Sequence, residues 1–291
     1  MPDDGVGRSR ARGGAGFRGA WAGLSLDRPR VMGVLNVTPD SFSDGGHYPN
    51  PGDAIAAGQA MAAAGADFID VGGESSRPGA SPVSAAEEQA RVLPVISGLA
   101  GAGLRVSIDT RNAATMAAAL DAGAAIVNDI SALTHDCAAA PLVAARRCPV
   151  ILMHMRGEPA TMNARAVYTD LAREVRDELA ARIEAAEAAG IARDAIAIDP
   201  GVGFAKLAPH SLELLRRLPE LNVLRRPIVV GVSRKSFIGR IGEEPDPRQR
   251  FPGSIAAGLF ALSRGAHILR VHDVAATVQA IKVWSALTQP A

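Results

Sequence analysis

The sequence predicts one (β/α)8 barrel, and three observations carry that prediction. Eight short apolar runs recur along the chain with helical stretches between them, their starts roughly twenty to forty-five residues apart. Polar residues stand at the end of every run, as a fold requires when it builds its site from eight βα loops. The main rival, a doubly wound sheet, usually has fewer strands and often a glycine-rich phosphate loop after the first; none follows the first run here.

The first run is Val31 to Leu35, with no polar residue until Asn36, which describes a strand buried on both faces. Thr38-Pro39-Asp40 and Gly45-Gly46 end it with turn chemistry. The intervening loop holds two aspartates, three hydroxyls and Phe42, and an aromatic at a loop tip suggests a mobile cover over a site at the strand's carboxyl end. Asp53 to Ala64 is an alanine-rich helix stopped by Gly65. Phe68 to Gly72 is the second strand, followed by the polar loop Gly73 to Gly79. Ser84 with Glu87 forms a capping box that opens a helix to about Leu99, kinked near Pro94.

Arg105 to Asp109 is the third strand, Asn112 to Ala122 a helix, and Ala125 to Asp129 the fourth strand. Pro149 to Met153 ends at His154, and an amphipathic helix runs from Asp170 to Ala189. It places Leu171, Val175, Leu179 and Ile183 inward and pairs Glu178 with Arg182 outside. Ala195 to Asp199 is the sixth strand, Ser211 to Leu218 a short helix, and Pro227 to Ser233 the seventh strand. A polar loop from Gly242 to Arg250 leads to the helix Ser254 to Ser263. Ala266 to Asp273 is the eighth strand, and the last helix turns Val274, Val278, Ile281 and Leu287 inward.

A chain of 291 residues with 48% apolar content can bury a large core. Its 31 basic and 30 acidic residues leave a net charge of +1, so neither nucleic acid nor a membrane is an expected partner, and the substrate is expected to be small. Cys137 and Cys148 have no Cys or His at metal-ligand spacing and read as reduced thiols of a cytoplasmic protein. Residues 1–28 carry arginines among glycines without an apolar stretch, and are expected to be a disordered tail before a catalytic domain at 29–291.

An aspartate after a strand is most often a cap or turn former, which is the reading for Asp129 and Asp273. Asp109 and Asp199 instead terminate apolar runs, placing both carboxylates with Asn128 at the inner rim. Two carboxylates and an amide suit acid–base work, metal binding or recognition of a flat, donor-rich heterocycle, whose guanidine-like edge one carboxylate accepts in two parallel bonds. With His154 and His272 on separate strands, ring recognition fits better than metal alone. Arg77, Arg234, Lys235, Arg270 and His272 form a cationic group; Arg270 and His272 share one side of the last strand, in the region where this fold usually binds phosphate. Met153 and Phe204 stand at strand ends and could sandwich a ring.

These residues together resemble the dihydropteroate synthases of the pterin-binding enzyme family. The resemblance lies in Val31 to Gly46, Gly72 to Gly79, Ser107-Ile-Asp-Thr110, Val127-Asn-Asp-Ile130, Asp199-Pro-Gly201, Ser233-Arg-Lys-Ser236 and Arg270-Val-His-Asp273, within residues 31 to about 285. It implies condensation of 4-aminobenzoate with 6-hydroxymethyl-7,8-dihydropterin pyrophosphate. By carry-over, Asp109, Asn128, Met153, Asp199 and Lys235 hold the pterin. Asn36, Arg77, Arg270 and His272 hold the pyrophosphate, with magnesium at Asn36. Ser76, Arg77, Pro78, Phe204 and Ser236 border the aminobenzoate pocket, which sulfonamides occupy, while Phe42 and Asp44 belong to the covering loop. The catalytic set implied is Phe42, Asp44, Lys235, Arg270 and His272. Two departures are Ser76, where threonine is frequent, and Val202 with Ala205, where phenylalanine and glycine are frequent. A corrinoid-linked methyltransferase would give Lys235, Arg270 and His272 no pyrophosphate to meet, and a non-catalytic paralogue would have lost Asn36, Phe42 and Asp44. The apolar helix Ser254 to Ser263 suggests the interface of a homodimer.

Overall fold

Period-two alternation along eight strands decides which residues fill the barrel and which hold its helices. The computed structural model describes residue 17 and residues 19–38, 50–75 and 83–288. A two-stranded hairpin comes first, β1 (Ala20–Trp21) and β2 (Leu24–Ser25). The barrel strands are β3 (Arg30–Asn36), β4 (Phe68–Gly72), β5 (Val106–Asp109), β6 (Ile126–Asp129), β7 (Val150–Met153), β8 (Ile196–Asp199), β9 (Val229–Gly231) and β10 (Ile268–Val271). They are parallel, in the order β8-β7-β6-β5-β4-β3-β10-β9. A parallel bridge between Ile198 and Ile228 joins the two ends of that order, closing the expected (β/α)8 barrel.

Outward residues such as Val31, Leu35, Ile69, Val71, Ile108, Leu152, Ile198 and Leu269 are all buried in one large cluster with the helices. The layer consists of α1 (Pro51–Ala63), α2 (Ala85–Gly101), α3 (Ala113–Asp121), α4 (Ala139–Arg146), α5 (Leu171–Ala188), α6 (Ala208–Arg216), α7 (Ser236–Ile241), α8 (Phe251–Ser263) and α9 (Val274–Thr288). Inward residues form a separate cluster, Met32, Phe68, Ile126, Ile151, Ala197, Val229 and Ile268, low in the barrel. Two to four residues further along, five of these seven strands turn a polar residue inward, Asn36, Asp70, Asn128, Asp199 and Arg270. That switch creates a floor of hydrocarbon under a polar mouth.

The expected tail to residue 28 is corrected for its described part. Trp21 packs onto the inward apolar cluster from below, edge-on to Phe68, and its indole N–H donates to the Ala195 carbonyl at 2.9 Å. Arg28 and Arg30 then bind Asp67 at 2.6 and 3.0 Å. An open barrel end exposes a ring of apolar side chains, so a neighbouring aromatic gains much by covering it. Residues 1–16 and 18 lie outside the described residues.

Local signals held at several helix starts: Ser84 accepts from the Glu87 amide, and Asp170 from that of Arg173. Elsewhere tertiary partners prevailed. α4 has no side-chain cap, which left no mark of its start, and α8 begins at Phe251, with a proline in its first turn, rather than at Ser254. Glu178 does not pair with Arg182; it bends toward the barrel and takes His154 and Arg156. Val274 and Ile281 are buried and Val278 packs against the core, but Leu287, in the last turn of α9, is 81% exposed.

Candidate active site

The strands are parallel, so their carboxyl ends share one face of the barrel, and the inward positions there are Asn36, Asp70, Gly72, Asp109, Asn128, Met153, Asp199, Gly231 and Arg270. Arg270 organises the group. Its Nε donates to Asp70 at 2.6 Å and its Nη2 to Asp109 at 2.6 Å, while the Asn128 amide donates to the same Asp70 oxygen at 2.9 Å. Gly231 separates Arg270 from Asp199: a β-carbon there would lie 3.8 Å from Arg270 Cβ and 3.9 Å from Asp199 Oδ2. Gly72 likewise keeps open the space between Asn36 and Asp109.

Asp199 begins the second half of the mouth. Its Oδ1 accepts from the Gly201 amide at 2.7 Å, turning the chain sharply into the segment that carries Phe204. Lys235 reaches over from the end of β9, donates to the Val202 carbonyl and sets its ammonium 4.3 Å from the centre of the Phe204 ring. Ser236 is exposed at the start of α7, and Met153 is buried at the end of β7, in register with Asp199. His272 bonds Ser233 through its amide at 3.2 Å and Nδ1 at 3.0 Å.

Arg234 departs from the expected cationic group. It turns away to clamp Asp273 at 3.1 and 2.5 Å, tying the loops after β9 and β10 together. Asp273 is therefore structural, though as a salt-bridge partner rather than through a cap made by its carboxylate. Asp129 is the turn former expected, accepting from the amides of Ser131 and Leu133. Phe42, Asp44, Ser76, Arg77 and Pro78 lie outside the described residues.

Asp70 is the site residue that reading the sequence missed. It is fully buried and holds both Arg270 and Asn128. The available signal was parity: Asp70 falls between the inward Phe68 and Gly72, so an acid there must face the barrel interior.

Burial pushes the Asp109 carboxyl up to about 7, with Arg270 pulling the other way and Asp70 adding to the rise. Burial likewise raises Asp199 and brings Lys235 down to about 8, in the latter case against the attraction of Asp199. Burial disfavours the Arg270 charge, but Asp70 and Asp109 outweigh it. Three carboxylates thus face two cations, leaving acceptor capacity for a flat ring with several N–H donors. Among the described residues no group of three or more His, Cys, Asp or Glu side chains is placed to hold a metal. Asn36, like Asn128, offers a neutral, hard oxygen at the rim, and it stands beside the space that Gly72 leaves open.

Residues 32–272 match the family model described as pterin binding enzyme. The dihydropteroate synthase of Synechocystis is 46% identical over 261 residues, 89% of this chain and 90% of that protein. The dihydropteroate synthase of Xanthomonas albilineans solved with 4-aminobenzoic acid superposes with a TM-score of 0.88 at 48% identity, covering 95% of this chain and all of that one. The same enzyme in complex with 7,8-dihydropteroate gives 0.83 at 46% identity, over 92% of this chain and 97% of that one.

Proposed function

The chain belongs to the dihydropteroate synthases of the pterin binding enzyme family, which are transferases, and from that premise we propose the reaction and the part each residue plays. The substrates are 4-aminobenzoate and 6-hydroxymethyl-7,8-dihydropterin pyrophosphate; the products are 7,8-dihydropteroate, for folate synthesis, and pyrophosphate. The observation that carries this reading is the acid-rich inner rim of Asp109, Asn128 and Asp199, bounded by Lys235 and Arg270.

The pterin enters edge-on. Its paired N–H donors meet Asp199 as a charge-assisted pair, Asn128 and Asp109 take the remaining polar atoms, and Lys235 donates to a ring acceptor. Met153 supplies an apolar face. Arg270 and His272 meet the pyrophosphate, and Asp70 keeps Arg270 from swinging away. Asn36 suits magnesium, because this ion keeps several waters and takes substrate phosphate oxygens beside one or two protein oxygens. When bound, it supplies positive charge against the leaving group.

The bond from the pterin methylene to oxygen breaks with its electron pair going to pyrophosphate, while the electron-rich ring spreads the positive charge left on carbon. The arylamine nitrogen then bonds that carbon and loses a proton to solvent. A neutral arylamine is already a nucleophile, so no Ser-His-Asp arrangement is needed. Phe204 and Ser236, with Ser76, Arg77 and Pro78, border the arylamine, and Phe42 and Asp44 cover the site during the step.

Phe260 and Val283 are 38% and 57% exposed on α8 and α9, two helices packed together, and a second copy of the chain covers this apolar face to make a homodimer. Among the described residues no helix is long and apolar enough to cross a membrane, and the free thiols Cys137 and Cys148 support a cytoplasmic setting. The deciding experiment follows pyrophosphate and dihydropteroate together in purified protein, with and without a magnesium chelator. Matched release that slows on chelation supports the reading; no product under any condition overturns it. Arg270→Ala should weaken the pyrophosphate ester far more than the pterin alcohol, and equal losses would remove the phosphate role.

A further inference from the structure

Lys206 lies behind the pocket wall, is only 4% exposed and touches no group assigned above to substrate except through the backbone. Its Nζ donates to the Phe204 carbonyl at 2.9 Å, meets His154 Nδ1 at 2.8 Å and lies 3.4 Å from the His154 carbonyl. The imidazole's other nitrogen, Nε2, is 3.0 Å from Glu178. That pairing settles the direction of the chain of bonds. A carboxylate only accepts, so Nε2 carries the proton, Nδ1 is the acceptor and Lys206 is the donor. Arg156 holds Glu178 in turn, also binds Glu174 at 2.8 Å and lies 4.1 Å over the Tyr168 ring, whose hydroxyl donates to the Ala205 carbonyl at 3.0 Å.

Two bonds of this network end on the segment after Asp199, at the Phe204 and Ala205 carbonyls. The Phe204 and Ala205 carbonyls are gripped from behind, and the Val202 carbonyl from the pocket side by Lys235. Gly201, at φ +67°, is pressed so close that a β-carbon would lie 1.9 Å from the His154 carbonyl oxygen. The three acceptors around Lys206 include no carboxylate, and burial pulls its ammonium well below the ordinary lysine range. Burying such a polar group costs stability that an apolar chain of similar length would not. A group that burdens the fold while tethering one wall of a site has a role at that site.

We propose that Lys206 is a positioning residue for the condensation, fixing the Phe204 ring against Lys235 through the Phe204 carbonyl and His154, and thereby setting the width of the arylamine pocket. This rests on the dihydropteroate synthase reading above. The test uses the full chain with Lys206→Met, His154→Leu, His154→Asn and the Lys206→Met/His154→Leu double variant. Lys206→Met should raise the KM for 4-aminobenzoate about tenfold, since small misplacements of a binding wall are costly, with kcat and pterin affinity within about twofold of the parent. Its melting temperature should be unchanged or higher. His154→Leu should reproduce the KM effect, the double variant should be no worse than either single one, and His154→Asn, which keeps an acceptor near the Nδ1 position, should largely escape it.

A normal KM in Lys206→Met, or losses shared equally by both substrates and by stability, overturns the proposal. If the parent protein makes no dihydropteroate, the reaction falls instead. Positioning is then judged by a crystal structure of Lys206→Met: a displaced Phe204 ring sustains it, and an unmoved ring refutes it.

Discussion

Arg270 and Asp70 are 200 residues apart in sequence, and β3 lies between their strands, yet Nε and Oδ2 meet at 2.6 Å inside the barrel. The same carboxylate oxygen receives the Asn128 amide, so Asp70 fixes two of the residues that face the ring. Substitution by alanine takes from the half-buried Arg270 guanidinium one of its two carboxylates and leaves the buried Asn128 amide without its acceptor. Asp70→Ala should therefore lose about 3 kcal/mol of stability in urea unfolding, and pterin affinity with it. Asp70→Asn, which retains an acceptor, should lose less than half of that. Stability within about 1 kcal/mol of the parent in the alanine variant would contradict the pairing.

Asp109 should imprint a pH dependence of definite sign. Burial holds its carboxyl at about 7, above the ordinary 3.8, so the folded state binds the proton more tightly than the unfolded chain. The contribution of Asp109 to stability is accordingly full below about 4 and lost as pH rises through about 7. Ring N–H donors prefer the ionised carboxylate, so pterin affinity should climb between about pH 6 and 8. Calorimetric titrations across that range should show the rise in the parent and its loss in Asp109→Asn, where only the titration of Lys235 near 8 remains; a parallel rise in both would assign it elsewhere.

The turn after Asp199 should respond in opposite directions at two neighbouring positions. Gly201→Ala combines φ +67° with a clash against the His154 carbonyl, and should cost at least about 2 kcal/mol. Ala205 already sits in the left-handed region, at φ +49°. Ala205→Gly should thus be neutral or stabilise by up to about 1 kcal/mol, the relieved strain being partly offset by a freer unfolded chain. Thermal unfolding of the two variants checks both signs at once.

Trp21 should separate stability from chemistry. It is almost fully buried beneath the barrel floor, on the side opposite the polar rim. Trp21→Ala should cost about 3–5 kcal/mol by leaving a cavity and an unpaired Ala195 carbonyl. Turnover at a temperature where the variant is still folded should match the parent. A selective loss of kcat without loss of stability would show that the plug reaches the site.

Much of this protein follows from order along the chain. Apolar runs separated by helical stretches specify parallel strands buried on both faces and joined by crossovers, and eight of them, each ending in polar residues, select the barrel over the doubly wound sheet. Parallel strands put all their carboxyl ends on one face, so Asp109, Asn128 and Asp199 were legible as a shared rim without coordinates.

Partner choice was not legible, since it depends on distances between segments far apart in sequence. Glu178 looked like a helix-surface residue paired four positions on, and only the packing of α5 against β7 brought it to His154. Arg234 looked like a free cation until Asp273 came within reach, and residues 19–28 looked like a tail because the floor that Trp21 covers exists only once eight strands have closed. Periodicity is a property of the local chain and is written in the sequence; complementarity between surfaces comes into being when the chain folds.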